Sequence, residues 1–499
     1  MPSGLPHCNG SDPDPPTLAQ ALGKWSAMAM VVGAVIGSGI FAKPGANALV
    51  GQSVGLIMLA WFVGGVITVI GGVCLAELAL MMPKAGGTYV YIRKAYGRIP
   101  AFLAGWNESV FFQSSANSAL AIFFVMNLST LIGKEFSNLE MIIIALGLIT
   151  LLTVVNCIGV FWGGLVQNIT TIIKVGFLVL IACLPFLVLF VDTPSFDSAN
   201  YTTSFTSVET PSTMLMMFTL VMLNVMWAYS GGWMVTGIAE EIKDPQKNLS
   251  WALVGGAVVL FVIYVLVNIS FHGILSLEQM VDIEHDDLRQ VPQEALGAYL
   301  EPIGPNLAKF GKGLLSSIIL VSVFSALNTG LLTPPRVLFA MARDEMFIPS
   351  FARIHPRFKT PHVAIIGQGC VTAVVMLVVS TYVMFQSQES GGDASLPQGS
   401  AATSIFDYLT GIAVFSSTIF IVLTVASIFV LRRKYPDMER PYKIPGYPLV
   451  PAISLFANAV FLILVGMNDL IIILFSGVFL LCSLPLYFLF SRTHRQNET

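Results

Sequence analysis

Long apolar runs separated by short polar connections fill this chain from Trp25 to Phe490. A helix needs roughly 20 apolar residues to cross the hydrocarbon core of a bilayer. About twelve runs meet that length: Trp25–Leu49, Leu56–Leu80, Pro100–Leu131, Leu139–Val160, Val166–Val191, Thr213–Ala239, Ser250–His272, Leu314–Met341, His362–Phe385, Ser404–Leu431, Leu449–Gly466 and Leu470–Phe490. They are numbered here as spans 1 to 12. Two are interrupted. Val35-Ile36-Gly37-Ser38-Gly39-Ile40-Phe41 breaks span 1, and Trp227-Ala228-Tyr229-Ser230-Gly231-Gly232-Trp233 breaks span 6. Glycine costs roughly 1 kcal/mol in a helix interior relative to alanine. In lipid a break is worse, because freed N–H and C=O groups find no water. Such breaks survive where open backbone lines a cavity or holds a ligand, and a matched pair in two halves points to the binding site of a secondary transporter.

Composition supports an all-α integral membrane protein. Of 499 residues, 55% are hydrophobic and 11% charged, against about 25% charged in soluble chains. The net charge of −3 excludes little. No nucleic-acid partner is expected; the partner surface is the lipid bilayer. Residues 1–24 are polar and proline-rich, lack a basic region followed by a short apolar core, and read as a disordered cytoplasmic tail rather than a signal peptide. Cys74, Cys157, Cys183, Cys370 and Cys482 fall in or at the ends of apolar runs, Cys8 in the tail, and no CxxC pair occurs. They read as small packing residues.

Basic residues set the orientation. Most of the 25 lysines and arginines fall in connections on one side, including Lys84, Arg93, Arg98, Arg336, Arg353, Arg432 and Arg440. Lys43, Lys134, Arg289, Lys309 and Lys312 lie on the other, and the connection Ile274–Gly313 is acidic. Both termini are therefore expected in the cytoplasm, with the chain in the plasma or inner membrane. Spans 1 and 6 run in opposite directions, as two inverted five-span repeats require. The expected organisation is 25–191 for the first repeat, 213–431 for the second, 449–490 for spans 11 and 12, and 491–499 for a cytoplasmic tail. Short amphipathic helices fit the inner connections after spans 2 and 8, which hold Pro83 to Tyr89 and Phe347-Ile348-Pro349.

Several motifs now add a family. Gly37-Ser38-Gly39-Ile40-Phe41 resembles the first-span motif of the amino acid–polyamine–organocation permeases. So do Ala76-Glu77-Leu78 with Pro83 to Tyr89 and Tyr96-Gly97, the run Glu240 to Leu249, Arg336 to Ala342 with Asp344 and Pro361, and Arg440 to Pro448. Asn156-Cys157 and Gln167 to Lys174 are most similar to the L-type amino acid transporters and their bacterial relatives. The resemblance implies a LeuT-type 5+5 inverted repeat with broken helices 1 and 6. It also implies alternating access without sodium, and no enzyme chemistry.

In that reading, Val35, Ile36, Gly37, Ser38 and Gly39 of span 1 and Trp227, Ala228, Ser230 and Gly231 of span 6 bind substrate. The N–H groups that open the second half of span 1 lack intrahelical partners and favour a carboxylate. Carbonyls near Val35, Ile36 and Ala228 suit an ammonium, so an amino acid head group fits without a charged side chain. The resemblance makes Trp227 an occlusion gate over the substrate. L-type members carry Gly-Trp-Asn where this chain has Gly231-Gly232-Trp233. No acid stands near the break, which points to neutral substrates. Phe111, Phe112, Gln113 and Asn328 are candidate pocket residues.

Lys174 lies inside span 5, roughly 12 Å from its cytoplasmic end, where an ionisable group is expensive and functional. The resemblance implies that its ammonium stands in for a coupling sodium, bonding span 1 carbonyls and Ser322, with exchange or proton coupling both open. Glu77 and Glu108 are expected to pair with Lys84, Arg93 or Arg98, and Glu240 and Glu241 with basic connections. Mammalian L-type proteins use a cysteine between spans 3 and 4 to join a single-span glycoprotein. None stands between Asn127 and Leu139, so no disulfide-linked heavy subunit is expected. No cofactor or metal cluster is apparent. The alternatives are a polyamine or cationic amino acid exchanger, which wants an acidic pocket residue, and a non-transporting amino acid sensor, for which the tails look too short.

Overall fold

A computed structural model describes residues 23–84, 86–158, 161–188, 196–204, 210–286, 288–389, 401–468 and 470–496. Most of the expected N-terminal tail, Cys8, and the side chains of Glu240 and Glu241 lie outside the described residues. Among the described residues every regular element is helical. Twelve helical spans are long and apolar enough to cross a membrane: Lys24–Gly51, Val54–Met81, Arg98–Ile132, Asn138–Ile158, Gln167–Phe186, Pro211–Ala239, Pro245–Ile274, Pro305–Arg343, His362–Phe385, Thr403–Lys434, Leu449–Asn468 and Ile472–Phe490. They keep the numbering 1 to 12.

Local chemistry sets several boundaries. Span 8 starts at Pro305, before the expected Leu314, because proline at the first helical position has its φ preset. Its continuous helix ends at Leu332, since Pro334 and Pro335 cannot donate to the ladder. The chain restarts as Pro335–Arg343, a strongly amphipathic helix. This is the surface helix expected after span 8, but it precedes Phe347-Ile348-Pro349, where a 3-10 turn forms at Pro349–Ala352. Thr88–Tyr96 supplies the one expected after span 2. The acidic connection after span 7 is not merely a loop. It folds into Leu277–Glu284 and Val291–Leu300, the first opened by a capping box between Ser276 and Gln279.

Two polar clamps tie the basic face of the bundle together. Glu77 is fully buried on span 2 and accepts two bonds from Arg432 of span 10, at 2.9 and 2.6 Å. The backbone N–H of Ile444 adds a third at 2.8 Å. The expected partners Lys84, Arg93 and Arg98 are therefore wrong for Glu77: tertiary packing brings span 10 closer than the neighbouring connection. Arg93 instead pairs with Asp344, which also accepts from the Tyr89 hydroxyl at 2.7 Å. Burial pushes the Tyr89 phenol up, so it remains a donor across the physiological range.

Candidate substrate site

The helix of span 1 ends at Val35 and resumes at Gly39, leaving Ile36, Gly37 and Ser38 outside regular helix. Span 6 ends its helix at Ala228, turns through Gly231 at φ 100°, and continues as a 3-10 stretch, Gly232–Glu241. The two breaks pass within contact of each other. A Cβ on Gly39 would sit 2.3 Å from the Ala228 Cα, and one on Gly231 would sit 3.3 Å from the Ala34 carbonyl oxygen. Only glycine permits that approach and that φ.

The crossing exposes backbone donors and acceptors. The N–H groups of Ser38, Gly39 and Ile40 donate to no other described residue, and no backbone N–H of a described residue bonds the Ala228 or Tyr229 carbonyl. A pocket of ≈ 40 Å³ lies here. Val35, Gly37, Ser38, Gly39, Trp227, Ser230 and Gly231 line it, joined by Phe112 and Gln113 of span 3 and Thr329 and Gly330 of span 8. Ile36 and Ala228 stand behind this wall: Ala228 packs on Gly39, and the Ile36 carbonyl faces away. Phe111 and Asn328 are not in it. Phe111 stacks on Phe479 at 4.1 Å, and Asn328 accepts from Asn156 at 3.1 Å.

The Ile36 carbonyl is held by Lys174. The lysine is fully buried and donates to Gly33 and Ile36 carbonyls at 3.1 and 3.0 Å. Ser322 of span 8 donates to the same Ile36 carbonyl at 3.1 Å. Beside them Gln167 accepts from Ser325 at 2.6 Å and Thr329 at 3.0 Å. This polar seam between spans 1, 5 and 8 includes residues that the sequence did not single out; hydroxyls spaced three and four apart on span 8 were its only trace.

Towards the acidic face, Trp227 covers the pocket. Its indole N–H donates to the Ser38 hydroxyl at 3.1 Å, and its ring meets Phe406 edge-on at 6.2 Å. Above it Lys43 is 1% exposed, 2.6 Å from Asp407 and 4.6 Å from the Phe406 ring centroid. Lys43 had the sequence signature of a span-end cation. Its burial depends on Asp407, 364 positions away, and no local pattern reports that.

Towards the basic face a larger cavity of ≈ 130 Å³ shares Val35, Phe112 and Ser230 with the pocket and reaches Thr88 and Glu108. Glu108 accepts from the Thr88 hydroxyl, where a loop cation had been expected. A π-helical stretch, Asn107–Phe112, places Glu108 and Phe112 on this wall.

Twelve apolar spans among the described residues, two of them interrupted around a pocket of open backbone groups, define a secondary transporter. A family model described as amino acid permease matches residues 22–489, and the chain belongs to that family, within the amino acid–polyamine–organocation superfamily. The serine/threonine exchanger SteT of Bacillus subtilis (strain 168) is 30% identical over 88% of this chain and 89% of its own length. The b(0,+)-type amino acid transporter 1 of Homo sapiens is 26% identical over 96% of this chain and 89% of its own. Large neutral amino acids transporter small subunit 2 of Rattus norvegicus is 29% identical over 95% and 81%.

Proposed function

We propose that this protein is a sodium-independent exchanger of neutral amino acids working by alternating access. One observation carries the reading. The pocket offers open N–H groups of Ser38 and Gly39 to a carboxylate, while a lysine ammonium occupies the adjoining seam. The break of span 6 faces them across the same pocket through Trp227, Ser230 and Gly231. Lys174 and Ser322 anchor the first half of span 1, so no metal ion is needed between those carbonyls. The relatives, a serine/threonine exchanger and a large neutral amino acids transporter subunit among them, agree with this reading.

Orientation, repeat and partner belong to the same proposal. The basic face is cytoplasmic, in the plasma membrane, and spans 1–5 and 6–10 form the inverted repeats. The connection between spans 3 and 4 offers no cysteine for a disulfide-linked heavy subunit. In this orientation the described conformation is closed to the outside by Trp227, Phe406 and the Lys43–Asp407 pair. A cationic substrate is the second reading, because Glu108 lies on the wall of the adjoining cavity.

The test uses purified protein in liposomes loaded with unlabelled amino acids. Uptake of labelled leucine, alanine and serine is followed with and without internal substrate, sodium and a pH gradient. Uptake that requires internal amino acid but not sodium supports the proposal. Dependence on a proton gradient replaces exchange with symport, and uptake of arginine or putrescine alone moves the assignment to the cationic reading. Binding without any transport makes the protein a sensor.

A further inference from the structure

Gly232 differs from Gly39 and Gly231. Gly39 and Gly231 are required by a 2.3 Å approach and a φ of 100° respectively. At Gly232 neither requirement holds. Its φ is not in the left-handed region, and an added Cβ would find only ordinary contacts, 3.5 Å from Val35 Cγ2 and 3.7 Å from Val31 Cγ1. Both valines line the ≈ 130 Å³ cavity, as does Gly232 itself. A side chain grown at 232 would therefore run along the cavity wall and into its space. The backbone tolerates a larger residue here; what glycine preserves is volume.

That volume is lined mainly by apolar side chains, among them Val31, Val35, Met226, Leu260, Val414 and Ile421; Thr68, Asn107, Ser417, Thr418, Thr424 and Asn458 interrupt them, and Thr88 and Glu108 lie towards the basic face. Val35, Phe112 and Ser230 border both spaces. The smaller pocket measures ≈ 40 Å³ against ≈ 130 Å³ for the cavity beside Ser230 and Val35, which is the larger adjoining space for a bulky side chain.

We infer that the cavity opened by Gly232 is a side-chain chamber, and that Gly232 makes the protein selective for amino acids with large apolar side chains. This rests on the reading of the ≈ 40 Å³ pocket as the head-group site. The driving force is burial of the substrate's apolar surface, which grows with side-chain size. An apolar pocket discriminates by about tenfold or more per methylene group it gains or loses.

The test is the ratio of phenylalanine to alanine, read in two ways: uptake into liposomes, and equilibrium binding to the purified full-length protein. Wild type is expected to favour phenylalanine by at least about tenfold. Gly232→Leu fills the chamber from span 6 and should lower that ratio by about tenfold or more. Ile421→Phe fills it from span 10 and should shift the ratio the same way, which a local disturbance of the span 6 turn would not do. A wild-type preference for alanine or serine overturns the inference. So does a fall in both substrates at constant ratio in the two variants, provided that each elutes as a monodisperse protein. If wild type binds the panel but transports none of it, the transport proposal fails while the binding ratio still decides the chamber.

Discussion

Lys174 and Trp227 carry the most at the scale of single residues. Removing the Lys174 ammonium leaves the buried Gly33 and Ile36 carbonyls short of a donor, at roughly 1–3 kcal/mol. Lys174→Ala should therefore lower liposome uptake by at least about tenfold, with a reduced melting temperature in detergent. Uptake equal to wild type would remove the lysine from the mechanism. Trp227→Phe keeps an aromatic cover but loses the bond to Ser38. A single neutral hydrogen bond is worth about 1 kcal/mol, so apparent substrate affinity should weaken by roughly fivefold, read from concentration-dependent uptake. Both residues were visible in the sequence: one as a charge inside an apolar run, the other through its place before a glycine pair. The Ile36 carbonyl was placed on the wrong side of the wall, because a sequence gives the position of a break but not the direction in which each freed carbonyl turns.

Helices and their clamps raise different questions. Spans were legible because each must satisfy its own backbone in lipid, which forces long apolar helices. Their ends were less so where prolines and caps intervene, as at Pro305 and Ser276. The link between span 2 and span 10 was not legible, since Glu77 and Arg432 are 355 positions apart. Glu77→Gln breaks a buried ion pair from one side and should cost about 3 kcal/mol. The Glu77→Gln, Arg432→Met double variant should recover part of the loss, because the Arg432 charge is then no longer left without its partner, while Arg440, 3.9 Å from Glu77, keeps its backbone carbonyl acceptors. Thermal unfolding in detergent measures both; equal losses in single and double variants would show that the pair itself contributes little.

At the scale of the whole molecule, the proposed mechanism turns on which face of the pocket is closed. In it Trp227, Phe406 and the Lys43–Asp407 pair form the seal on the acidic side, while the ≈ 130 Å³ cavity extends towards the basic one. Asp407→Asn removes the counter-charge of a buried lysine and should favour opening of that seal. A cysteine introduced at Ala42, which lines the recess beside Asp407 on the acidic face, should then react several-fold faster with a membrane-impermeant thiol reagent added on that side. An unchanged rate would mean that the aromatic layer alone closes the path. The sequence by itself determined the membrane architecture, the breaks in spans 1 and 6, and the lysine behind them. Apolar run length, glycine placement and an isolated charge are local signals with strong energetic consequences in lipid. Only the tertiary structure decided how Gly39 meets Ala228, that Lys43 is buried against Asp407, that Glu77 belongs to Arg432, and that Gly232 faces open volume. Those are contacts between segments far apart in the chain, and their energies depend on packing that no single segment encodes.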